Sequence, residues 1–157
     1  MSADDLARRI QMIEDLEAIK QLKHRYCHYC DENYDADAIA ALYTEDAVWE
    51  GTGIGRFEGR EAIRRFFKGA SKSFVFAVHN VMNPIIEVKG DSATGEWKLL
   101  QPCTVDGKAV WLAGVYSDLY VRSGGKWLFK HLKVKILFLT PYEDGWVRKQ
   151  YIDGFKV

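Results

Sequence analysis

The sequence has no surplus charge of either sign: its 157 residues carry 22 Lys plus Arg against 22 Asp plus Glu. A balanced chain offers no electrostatic footprint for a polyanion, so nucleic acid and anionic membrane surfaces are not expected partners. Long apolar runs are missing as well. None approaches the ~20 residues a bilayer requires, and the opening MSADDLARRIQ mixes acids and bases where a secretory signal would place an apolar core. A cytoplasmic protein is expected. Cysteine is scarce and odd in number, with Cys27, Cys30 and Cys103, which fits a reducing compartment and not the disulfide framework of a secreted domain. Only 3 prolines occur, and no linker, internal repeat or low-complexity tract divides the chain. One domain over residues 1–157 is predicted. At that length a single core buries roughly 70% of the surface the unfolded chain exposes, without help from a disulfide or metal. Aromatic residues, in contrast, are plentiful: 5 Trp, 8 Tyr and 8 Phe make up 13% of the chain, more apolar surface than a neutral exterior calls for.

The first third has helical spacing. Ile10, Ile13, Leu16, Ile19, Leu22, Tyr26 and Tyr29 recur every three or four residues between charged ones, which predicts a helix burying one stripe and ending around Asp31 to Asn33. Asp35 or Asp37 can cap a second, shorter helix with Ile39, Leu42 and Tyr43 on its buried side. Val48 and Trp49 predict a short strand, Gly51 to Gly55 a loop, and Gly59 to Phe67 a third helix. From Phe74 onward, β-branched and aromatic runs are separated by Lys89-Gly90-Asp91, Asp106-Gly107 and Gly124-Gly125. Strands are predicted at about 75–88, 93–105, 109–122 and 126–139, joined as an antiparallel meander. Helices first and sheet second make the fold class α+β. In the last strand, alternation places Leu128, Leu132, Val134, Ile136 and Phe138 on one side and Trp127, Phe129, Leu137 and Leu139 on the other. A sheet apolar on both faces needs a cover for the outer one, so a homodimer or homotrimer is expected.

Two positions carry chemistry. Alternation in Phe74-Val75-Phe76-Ala77-Val78-His79 sets His79 beside Val75 and Ala77, whose modest size leaves room for a cavity. A histidine on an apolar face bonds either a backbone carbonyl, as a core residue, or a carboxylate that fixes its tautomer, and spacing alone does not choose. Asp31 closes the first helix after Tyr26-Cys27-His28-Tyr29-Cys30, where a carboxylate caps, pairs or acts. Tyr26 lies five residues earlier, about 140° around the helix, so it shares a pocket with Asp31 only if that pocket is wide or the helix ends there. Cys27 and Cys30 form a lone C-x-x-C without a second pair, which reads as core packing and not as a redox or zinc site.

The order of these features resembles the SnoaL-like branch of the nuclear-transport-factor-two-like, or cystatin-like, superfamily over about Ile13 to Trp146. The resemblance rests on Glu17-Ala18-Ile19-Lys20-Gln21-Leu22-Lys23 leading to Tyr26 and Asp31, on Glu45-Asp46-Ala47-Val48-Trp49 with Gly53 to Gly59, on His79 with Asn83, and on Ala113-Gly114-Val115-Tyr116-Ser117. The pattern is similar to cofactor-independent lyases of that superfamily: hexachlorocyclohexane dehydrochlorinase, scytalone dehydratase and bile acid 7α-dehydratase. It implies N-terminal helices packed on a curved antiparallel sheet that encloses a pocket. It also implies an Asp31–His79 dyad assisted by Tyr26, substrate contacts from Trp49 and Lys135, and no cofactor or metal. The implied activity is a lyase of dehydratase type, or an isomerase, removing a proton from a hydrophobic, cyclic small molecule. Because the fold is reused, a non-catalytic small-ligand-binding module and a structural subunit like the small subunit of ring-hydroxylating dioxygenases stand as alternatives. Which of Phe76, Met82, Trp97, Trp111 and Phe138 face the pocket is not set by alternation, which gives parity but not its inside.

Overall fold

The computed structural model describes residues 2–156. Helix α1 (Ala3–Asp31) is unbroken, opened by Ser2, whose hydroxyl accepts from the Asp5 backbone N–H. Its buried stripe begins later than the periodicity predicts. Asp15, Ile19, Leu22, Lys23, Tyr26, Cys27 and Cys30 are buried, whereas Ile10 and Ile13 are exposed, because the first three turns project beyond the body of the domain. The chain then turns sharply through Asn33 and Tyr34, both at positive φ. Asp35 caps α2 (Ala36–Ala40) by accepting from the Ala38 N–H. Strand β1 (Tyr43–Gly51) is longer than predicted and takes in Tyr43 and the polar Thr44-Glu45-Asp46. Strand β2 (Gly55–Glu58) and helix α3 (Arg60–Ser73) follow, and α3 buries Ile63 and Phe67.

The remaining strands are β3 (Phe74–Ala77), β4 (Asn80–Lys89), β5 (Ser92–Val105), β6 (Lys108–Ser123) and β7 (Lys126–Pro141), with a short α4 (Gly145–Arg148) after them. They form a single sheet in the order β2-β1-β7-β6-β5-β3, and β4 also pairs with β5. The α+β class and the β5-β6-β7 meander agree with the sequence reading. The sheet is mixed, however: β1 runs parallel to β7, with Trp49 opposite Leu132. A parallel pair needs a long connection, and here almost the whole sheet lies between the two strands.

Bulges change which side chains face inward. Along β5 and β6 alternation is clean, burying Ala93, Trp97, Leu99, Gln101 and Cys103 on β5 and Val110, Leu112, Tyr116, Asp118 and Tyr120 on β6. Along β7, Leu119 faces His131 while Tyr120 faces Phe129, so Lys130 is an extra residue; Gly114 faces Ile136 while Ala113 faces Phe138, so Leu137 is another. Each extra residue reverses the parity. Trp127, Phe129, Leu132, Val134, Ile136 and Leu139 consequently share the buried inner face, which corrects the two-sided assignment made from alternation. Another bulge, at Val75, separates Phe74 from Phe76: Phe74 pairs with Val105 and Phe76 with Thr104. Val75 and Phe76 are exposed, as are Met82, Ile85 and Leu137, and these residues leave the outer face apolar.

Candidate active site

The curled sheet and helices α1 and α3 enclose a cavity of about 340 Å³. Its wall is mostly apolar and aromatic, including Trp49, Ile54, Phe66, Phe67, Leu112 and Ile136. No Asp, Glu, Lys or Arg lines it among the described residues, and the polar groups it receives come from Tyr26, Tyr34, Ser73, His79, Gln101 and Tyr116.

His79 sits in the gap between β3 and β4, on the inner face in line with Ala77 and Val81. The His79 backbone N–H points away from β5 and donates to both carboxylate oxygens of Asp31, at 3.0 and 3.1 Å. The Asp31 carboxylate therefore takes the place of a strand partner. The same carboxylate meets His79 Nδ1 at 2.6 Å, which holds the residue by its backbone and its ring, and Nε2 has no hydrogen-bond partner among the described residues. The histidine side chain is 6% exposed and forms part of the cavity wall, while Asp31, 28% exposed, opens behind it onto a shallow surface depression with His24, His28 and Asn80. His79 thus separates the depression from the cavity. Of the two sequence-level alternatives, a backbone carbonyl or a carboxylate, the partner is the carboxylate of Asp31.

Tyr26 lies at the centre of the core, its ring edge-on to Tyr43, Phe67, Tyr116 and Phe129. Its hydroxyl accepts from the Trp49 indole N–H at 3.1 Å and also lies against the Cys30 thiol. Burial pushes the phenol well above its ordinary pKa, so it stays protonated near neutral pH. Trp49 reaches this position across Gly51, where a Cβ would stand 2.7 Å from the indole. Tyr26 and Trp49 both line the cavity, as the resemblance implies. Tyr26 and Asp31 are brought to it by different routes: Tyr26 directly, and Asp31 through His79.

Lys135 is not at the site. It is exposed on the outer face between Val134 and Ile136, which do line the cavity, so the strand's alternation turns it away and the implied substrate contact is corrected. Phe76, Met82, Trp97, Trp111 and Phe138 do not line the cavity either. Trp97 is buried elsewhere, donating to Tyr120; Phe138 stacks on Trp146; and Phe76 and Met82 are exposed. The wall includes residues the sequence did not single out, notably Tyr34, Phe74, Leu99 and Gln101. Tyr34 had a signal in the polar cluster after α1, whose positive φ values swing its ring back over His79.

Beneath Tyr26 the fully buried Lys23 pairs with Asp118 at 2.9 Å, and its ammonium stands 3.2 Å from the centre of the Tyr116 ring. Asp118 also accepts from Tyr120, and burial raises its carboxyl above the usual range against the opposing pull of Lys23. Cys27 and Cys30 are free and buried, and burial pushes the Cys27 thiol up to about 12, unsuited to thiolate or metal chemistry.

The SnoaL-like domain matches residues 11–133 of the chain. No curated protein matches it. Among solved structures, the chain is similar to hexachlorocyclohexane dehydrochlorinase LinA-type3 from Novosphingobium barchaimii LL02, at 23% identity and TM-score 0.78, covering 85% of this chain and 93% of that one. It is similar to a proposed aromatic ring hydroxylase from Novosphingobium aromaticivorans, at 29% identity and TM-score 0.76, covering 84% and 96%. A proposed scytalone dehydratase from the same organism gives 24% identity and TM-score 0.76 over 92% and 97%. A solved relative described as having a cystatin-like fold, also from that organism, shares the architecture at TM-score 0.71. With residues 11–133 of the 157 inside the match, the chain belongs to the SnoaL-like family.

Proposed function

We propose that the protein is a lyase of dehydratase type acting on a neutral, cyclic small molecule, with His79 as the base. The observation that carries this reading is the 2.6 Å contact between Asp31 and His79 Nδ1 on the wall of an apolar cavity. Asp31 accepts the Nδ1 proton, fixes the tautomer and leaves Nε2 as a proton acceptor. Nε2 removes a proton from a carbon next to a carbonyl, the C–H electron pair moves toward the carbonyl oxygen, and its return expels a hydroxyl from the neighbouring carbon. Tyr26, protonated and oriented by Trp49, donates to the departing oxygen, which leaves as water; the proton taken by His79 returns to the tyrosine through solvent. If the hydroxyl is absent, reprotonation at another carbon makes the same site an isomerase. The fold likeness to a dehydrochlorinase and to a proposed scytalone dehydratase is consistent with elimination chemistry.

The test is proton removal from a cyclic ketone by purified protein. Asp31→Ala and His79→Ala are expected to lower the rate by about 100-fold or more, the usual worth of a positioned general base. Full activity in either variant overturns the assignment and favours a binding module. The apolar outer face formed by Phe76, Met82, Ile85 and Leu137 supports the further reading of a homodimer or homotrimer. Sedimentation velocity at micromolar concentration is expected to show that assembly, and Ile85→Lys to weaken it; a monomeric wild type contradicts it.

A further inference from the structure

Gln101 is the one buried amide side chain on the cavity wall among the described residues. It is 4% exposed, and its single hydrogen-bonding neighbour among the described residues is the Cys103 thiol. A side-chain amide offers two donors and an acceptor, so one contact to a thiol leaves hydrogen-bonding capacity on the cavity wall for a ligand. A fold that only needed to fill this position would place leucine there, as at the neighbouring inward positions Leu99 and Leu112.

Register fixes where the amide stands. Ala77 pairs with Cys103 and Val81 with Leu99, so the inward residue between each pair, His79 on one strand and Gln101 on the other, meet across the same gap. Val78 donates to the Pro102 carbonyl and keeps the two strands together there. The base and the amide therefore enter the cavity side by side, while Tyr26 enters from α1 and Tyr116 from β6.

We propose that a Gln101 amide N–H is the hydrogen-bond donor for the carbonyl oxygen of the substrate. This rests on the reading of His79 as the base, and it divides the labour at the site. When Nε2 takes the α-proton, the C–H electron pair becomes the enolate π-bond and negative charge gathers on the carbonyl oxygen. A donor beside the base meets that oxygen, and Tyr26 is left for the departing hydroxyl. Collapse of the enolate re-forms the C=O bond, moves the enolate π-pair to the bond between the α- and β-carbons, and breaks the bond to the hydroxyl, which takes the Tyr26 proton and leaves as water. The lack of ionised side chains on the wall fits a ligand without charge, and about 340 Å³ accommodates two or three fused rings. An oxygen-free substrate would leave that remaining capacity unused in the complex.

The probe pair is 2-tetralone and tetralin, which share a skeleton and differ in the carbonyl; the ketone oxygen accepts but cannot donate. Dissociation constants are measured by equilibrium dialysis for the wild type, Gln101→Leu and Gln101→Met, the last nearly matching glutamine in length should the first fail to fold. The wild type is expected to prefer the ketone by about tenfold, the worth of one well-placed hydrogen bond. Both variants are expected to lose that preference while binding tetralin within twofold of wild type. A preference that survives in the variants, or equal loss of both ligands, overturns the proposal. Binding does not require turnover, so failure here is distinct from failure of the base: His79→Ala is expected to keep the ketone preference and lose proton removal, and a Gln101 variant that loses the preference supports the donor whatever His79 does.

Discussion

At the residue scale, the site depends on each side chain being held by another. Asp31 holds His79 through the ring and through the backbone N–H, and Trp49 holds Tyr26. Trp49→Phe retains most of the buried aromatic surface and removes the indole N–H. The fold is expected to lose about 1 kcal/mol, whereas kcat drops by about tenfold because the phenol is free to turn. An unchanged kcat would remove Tyr26 from the reaction. Much of this scale was legible in the sequence. Asp31 at a helix end and His79 on an apolar strand are positions where a polar group must find a partner. Gln101 was not legible, because in Leu99-Leu100-Gln101-Pro102-Cys103 a glutamine reads equally well as an outward residue until the register is known.

At the scale of elements, α1 sets the dyad, since Asp31 is its last residue. The helix is anchored about 24 Å away, at 1.5 Å per residue, where Asp15 accepts from Arg122 at 2.7 Å and from the Trp127 indole at 3.1 Å. The Arg122 hydrogen bond is the largest influence on Asp15 and holds its carboxyl below the usual range, with burial opposing and Trp127 and Gln11 assisting. A lowered pKa in the folded state means the contribution to stability is complete above the ordinary aspartate range, near 4, and is lost as pH falls through the lowered value. Asp15→Ala is expected to cost about 2–3 kcal/mol at neutral pH in urea unfolding and to flatten the acid limb of the stability curve. An acid limb identical to wild type would show that α1 is anchored elsewhere.

The same scale shows where pattern reading fails. Strand β7 reads as apolar on both faces because Lys130 and Leu137 are extra residues that reverse its parity, and neither position carries the glycine or proline that would mark a bulge. Lys135 was assigned to the pocket and lies outside it for the same reason that Val134 and Ile136 lie inside. The turns at Gly90, Gly107 and Gly124-Gly125, by contrast, are explicit in the residues, and the β5-β6-β7 meander follows from them.

At the scale of the whole molecule, the balance of charge and the excess of aromatics have one explanation. The interior holds a cavity whose wall is aromatic, tyrosine-rich and free of ionised side chains, and the sheet has to curl to enclose it. The parallel β1–β7 pairing aligns Trp49 with Leu132, although the two residues lie far apart in the chain and no local pattern announces it. The class of the fold was readable from helices followed by hairpins; the closure of the sheet was not, since it depends on contacts between distant segments. The central claim is that His79, held by Asp31, removes a carbon-bound proton in this cavity. The direct measurement is incorporation of solvent deuterium at the α-carbons of 2-tetralone, followed by proton NMR against the uncatalysed exchange. The account predicts exchange accelerated by the wild type and reduced about 100-fold or more in His79→Ala and Asp31→Ala, and equal acceleration by wild type and His79→Ala would contradict it.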